Sequence, residues 1–118
     1  MAAIEDMLSW SGRTMVDVSG DKIGTISDIY VEDEADEPVF ALVDTGLFGT
    51  QSTFVPLEGA ERRDEEVSVP YQKDRVKGAP RAGRDDALTP EQEAELYTYY
   101  GIAYVSGTNR LRRNGPVG

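Results

Sequence analysis

An all-β fold is predicted for this chain: a small antiparallel β-barrel of five to six strands with a short C-terminal α-helix. Three observations predict it. Apolar residues come in short runs separated by glycine, proline and charged turns, the spacing of a small antiparallel sheet rather than of βαβ units. Residues 12–31 read as two strands around a tight turn at Ser19-Gly20-Asp21, where Gly20 takes a positive φ without steric cost. And one segment, beginning at Thr89, carries both a helix start and a helix stop.

In order along the chain, residues 2–8 favour a helical turn with Ile4, Met7 and Leu8 on one side, and Trp10 then acts as a lid on the core. The first strand places Thr14, Val16 and Val18 on one face and Met15 and Asp17 on the other. In the second strand Ile23 and Ile26 are three apart, so strict alternation fails near Gly24. A β-bulge there returns both isoleucines to the interior and bends the strand. An acidic loop, residues 32–37, precedes Val39-Phe40-Ala41-Leu42-Val43, whose unbroken apolar character marks a strand covered on both faces. After the glycine-flanked connection Gly46-Leu47-Phe48-Gly49 comes a strand at Thr53–Leu57, in which Pro56 demands an edge or a bulge. Val67, Val69 and Tyr71 alternate with Ser68 and Pro70, and Lys73–Lys77 closes the sheet region.

The barrel thus occupies residues 1–78 and a linker residues 79–88, followed by a helix and arm over 89–105 and a disordered tail over 106–118. The helix has Thr89 as N-cap, Pro90 at its first position and Gln92 completing a capping box, with Gly101 as a left-handed C-cap.

Composition narrows the function classes. The 118 residues include neither cysteine nor histidine, which removes disulfides, thiolate chemistry and the usual neutral-pH general base. Enzymatic activity is not expected, and no cofactor is expected either. Residues 1–105 hold nine basic and 22 acidic residues, a net charge of −13, and this repels phosphate backbones and anionic membranes. No apolar run is long enough to span a bilayer and the N-terminus lacks a signal-peptide pattern, so a cytoplasmic protein is expected.

The weak metal candidates are Glu32, Asp33 and Asp36 in the acidic loop, which lacks the spacing of a calcium-binding loop. Partner-binding candidates are apolar. Leu47 and Phe48 sit at a hairpin tip, where they either meet a partner or fold over the barrel end. Tyr97, Tyr99 and Tyr100 form an aromatic cluster with Tyr104. Because Tyr97 and Tyr99 do not both lie on the face of Leu96 and Tyr100, either one or both are available to a partner or a second copy, or all four tyrosines pack against the barrel with their hydroxyls in water.

Trp10-Ser-Gly-Arg-Thr, the run Asp17–Val31, Thr45-Gly-Leu-Phe-Gly, Phe54-Val-Pro-Leu and the run Val69–Pro80 together resemble the PRC-barrel domain. That domain also forms the cytoplasmic part of the photosynthetic reaction-centre H subunit and part of a ribosome-maturation factor. Residues 88–104 further resemble bacterial stress-associated proteins in which such a barrel precedes a second domain. The resemblance implies a PRC-type barrel that binds protein partners, with no catalytic residues to carry over. The expected function is a non-catalytic interaction or assembly module, self-associating as a dimer, with a part in stress adaptation. The alternatives are a ribosome- or RNA-processing-associated factor, by analogy with other PRC barrels, and a small-ligand or metal-binding barrel.

Overall fold

The computed structural model of the chain describes residues 7–32, 38–45, 52–79, 89–102 and 111–114. It is mostly β, with strands β1 (Thr14–Val16), β2 (Lys22–Glu32), β3 (Pro38–Asp44), β4 (Ser52–Pro56), β5 (Glu61–Arg63), β6 (Glu66–Ser68) and β7 (Leu111–Asn114). Helices α1 (Lys73–Lys77) and α2 (Pro90–Tyr100) accompany them among the described residues. None is long and apolar enough to cross a membrane.

Strand β2 is the spine. Gly20, at φ 92°, turns the chain from β1 into β2. Two register slips then bend β2, one opposite Met15 and Val16 and one between Ile26 and Asp28. The bulge at Ile23 leaves Ile23 and Ile26 both buried, as the spacing around Gly24 predicts, and with the one at Ser27 Ile29 is buried as well.

The pairing order is β4-β3-β2-β1-β6-β5, with β7 joined to β2 off this path. Two parts of the barrel expectation change here. The β1–β6 pair is parallel, so the sheet is mixed rather than antiparallel. And β4 and β5, at the two ends of the order, do not pair with each other among the described residues, so hydrogen bonding leaves the sheet open. Yet only residues 57–60 join β4 to β5, a span of at most ~18 Å for five Cα steps. Five inter-strand spacings in a flat sheet would come to about 24 Å, so the sheet must curve. Helix α1 stands beside this gap: Thr53 Oγ1 donates to the Val76 carbonyl at 3.3 Å, and Val76 is fully buried with Leu57 and Ala60.

Segment 73–77, which closes the sheet region in the sequence, does so as a helix. Val18 also departs from expectation: β1 ends at Val16 and Asp17 enters the turn, which leaves Val18 54% exposed. Residues 111–114, read from sequence as part of a disordered tail, form β7.

Because β3 is apolar from Pro38 to Val43, it serves two cores. Ala41 and Val43 face the interior of the rolled sheet with Trp10, Met15, Ile26, Val55 and Val67. Phe40 and Leu42 face the other way, into a second core with Tyr30, Phe54, Leu96, Tyr97, Tyr100 and Leu111. Helix α2 covers this outer face. Its start and stop follow the sequence reading: Gln92 N–H donates to Thr89 Oγ1, Thr89 N–H to Gln92 Oε1, and Gly101 is left-handed at φ 72°.

Candidate functional site

The aromatic residues singled out on α2 come to different fates. Glu93, Leu96, Tyr97 and Tyr100 are buried at i, i+3, i+4 and i+7, which turns one stripe of the helix onto the sheet. Tyr97 and Tyr100 are therefore core residues, with ring centroids 5.4 Å and 6.4 Å from that of Phe40. Tyr100 Oη donates to the Phe54 carbonyl at 2.7 Å, satisfying its hydroxyl inside the core. Tyr99 is half-buried and leans toward α1. Leu47, Phe48, Asp33 and Asp36 lie outside the described residues. Glu32 ends β2 opposite Leu111, and no group of three or more metal-ligating side chains converges among the described residues.

Around Tyr99 the structure assembles a rim. Tyr99 Oη donates to the Arg75 carbonyl at 2.6 Å, and Arg75 Nη2 donates back to the Tyr99 carbonyl at 3.2 Å. The Arg75 guanidinium carbon lies 5.5 Å from the Tyr71 ring centroid and 5.7 Å from that of Tyr100, within cation–π range of both. Tyr100 stacks edge-on with Tyr71 and with Tyr99, centroids 5.2 Å and 5.1 Å apart. Arg75 is exposed and Tyr71 half-buried, so the rim faces solvent while its members are fixed from behind.

Burial pushes the Tyr71 phenol above its ordinary value, as does the Glu58 carboxylate, and Arg75 opposes them. Tyr100 is raised further, by burial first and then by Tyr99 and Tyr71 against the pull of Arg75. Both phenols stay neutral at physiological pH. The rim therefore offers flat apolar faces, hydroxyls and one cation, the chemistry of recognition.

What positions Arg75 is a carboxylate far away in sequence. Asp17 is buried, and its Oδ1 accepts from the N–H groups of Ser19 and Asp21 at 2.8 Å and 2.9 Å. Its Oδ2 accepts from Lys73 N–H, the first of α1, at 3.1 Å. Gln72, at the N-cap position, makes no side-chain cap, so Asp17 supplies it from 56 residues away. Burial raises the Asp17 carboxyl, but the backbone donors at Asp21, Lys73, Ser19 and Gly20 outweigh it, and the net direction is below the ordinary 3.8. A carboxyl lowered on folding stabilises the protein above its unfolded pKa and loses that contribution as pH falls through the folded value. Urea midpoints measured from pH 7 down to pH 2 are thus expected to fall for the native chain below about pH 4. Asp17→Asn should show a shallower acid limb; equal limbs would remove Asp17 from this role.

Elsewhere, a groove of about 440 Å³ is lined by Ser9, Ser11, Gly12, Arg13, Thr14, Glu65 and Glu66. Glu65 and Glu66 are exposed, so it presents mixed, solvated charge rather than an apolar cavity.

Sequence reasoning missed Tyr71, Arg75 and Asp17. Tyr71 was legible only as a strand residue and Arg75 as part of a charged closing run, because nothing local announces α1. No curated protein matches the chain. The family model of the PRC-barrel domain matches residues 9–89, which span β1 to β6, α1 and the capping threonine of α2. With that match covering well over half of its length, the chain belongs to the PRC-barrel family.

Proposed function

We propose that this chain is a non-catalytic protein-binding module that works by self-association, and that the Tyr71–Arg75–Tyr99 rim is the contact surface. The observation that carries the reading is the rim itself: tyrosine and arginine, the residue types that dominate binding hot spots, are presented to solvent on elements tied together from behind. Absence of histidine and cysteine from the sequence supports a non-catalytic role. The resemblance of residues 88–104 to stress-associated proteins supports a place for this assembly in stress adaptation.

Sedimentation velocity over a concentration series tests the reading on the full chain. A reversible dimer is expected, and Arg75→Glu should weaken it by a factor of about 30, the effect of losing a contact of about 2 kcal/mol. Arg75 is exposed, so near-UV circular dichroism should show the fold retained. A chain that stays monomeric at every concentration would refute self-association. A dimer indifferent to Arg75→Glu would move the contact away from the rim.

A further inference from the structure

The edge of β2 that faces away from β3 is shared between two strands. β1 pairs with it over Lys22–Thr25, and β7 takes it further on, from Ile29↔Asn114 to Glu32↔Leu111. Ile29, Tyr30 and Val31 are buried, and β7 is the strand that pairs with their peptide groups on this edge. Leu111 is buried in the second core, and its N–H donates to Glu93 Oε2 at 2.9 Å. Glu93 is itself completely buried on α2. The slot therefore reads an extended segment three ways: by backbone pairing, by one apolar side chain and by one N–H aimed at a carboxylate. At the level of sequence the charges are complementary: residues 110–113 carry three arginines, whereas residues 1–105 carry a net charge of −13.

Nothing in these contacts depends on which copy of the chain supplies the strand. Among the described residues β7 pairs with β2 alone, and residues 103–110 separate it from the end of α2. We propose that the slot also takes Leu111–Asn114 from a second copy, so that two chains exchange C-terminal strands in a symmetric dimer. This rests on the self-association reading and names the segment exchanged. Contacts made within one chain and between two are the same, so concentration selects between them. A short connection holds its own strand at an effective concentration on the order of millimolar, and exchange is expected to populate in samples of similar strength.

The test uses the full, unmutated chain. Carbon-13-labelled and unlabelled copies are mixed at about 1 mM, warmed close to the unfolding midpoint and cooled, and isotope-filtered NOE spectra are recorded. Cross-peaks between Leu111 methyls of labelled chains and aromatic ring protons of unlabelled ones are expected. Leu111→Asp should abolish them and reduce the dimer fraction in sedimentation. If the Leu111 contacts appear only within single chains while a dimer persists, exchange is refuted and self-association stands. If the chain is a monomer throughout, both are refuted.

Discussion

Gly24→Ala is expected to be the most damaging glycine-to-alanine change among the described residues. A Cβ at this position would be driven onto the carbonyl oxygen of Asp44 and would come within 2.9 Å of both the Asp44 carbonyl carbon and Val43 Cγ1. Neither neighbour has room to yield. Asp44 is the register partner of Thr25, next to Gly24, and Val43 is fully buried in the first core. Overpacking usually costs about 1–3 kcal/mol, and a backbone clash at the bulge belongs at or above the top of that range. A loss of about 3 kcal/mol lowers the Tm of a domain this size by about 12 °C or more. Gly20→Ala makes the informative comparison. Gly20 has open space around it but sits at φ 92°, so its penalty of about 1–2 kcal/mol is conformational. Asparagine should recover part of that loss at position 20, whereas no side chain should be tolerated at position 24. Thermal unfolding of Gly24→Ala, Gly24→Asn, Gly20→Ala and Gly20→Asn checks this; a Gly24→Ala chain as stable as the native one would mean β2 and β3 are not this close.

The contrast between those glycines also marks what was legible in the sequence. Local signals carried: the Gly20 turn, the Thr89–Gln92 box, the Gly101 stop and the slip around Gly24 each depend on residues within a few positions of one another. Signals that act at a distance did not. Helix α1 is five residues long and owes its N-terminal cap to Asp17, so its own sequence reads equally well as a strand end. β7 contains one apolar residue followed by two arginines, and its strand state is imposed by the edge of β2. The parallel β1–β6 pairing is a choice of neighbour, which no periodicity encodes. The site divides in the same way. Helical spacing placed Leu96 and Tyr100 on one face and left Tyr97 and Tyr99 open. Only the sheet beneath decides that Tyr97 goes in and Tyr99 stays at the rim with Arg75.

Phe40→Ala should separate the two cores that β3 holds together. The Phe40 ring is fully buried and meets Tyr97 and Phe54 edge-on at centroid distances of 5.4 Å and 6.2 Å. Removing it costs about 3–5 kcal/mol, a large share of the ~5–15 kcal/mol that stabilises a typical domain. The loss should not be spread evenly. Phe40 belongs to the outer core that seats α2 and β7, whereas Ala41 and Val43, its neighbours along β3, face the inner core that the bent β2 encloses. Native-state hydrogen exchange is expected to show α2 amides losing protection first, with the β1–β2 pair still protected. Ile26→Ala, which opens the inner core at a cost of about 2–5 kcal/mol, should instead release both regions together, because α2 has no support without the sheet. If Phe40→Ala exposes β2 as readily as α2, the chain is one cooperative unit. The rim would then be no more detachable than the core. If α2 opens alone, the helix and the C-terminal strand form a unit resting on the sheet, and its opening carries Tyr99 away from Arg75 on α1. Partner binding can then loosen or tighten that unit without unfolding what lies beneath.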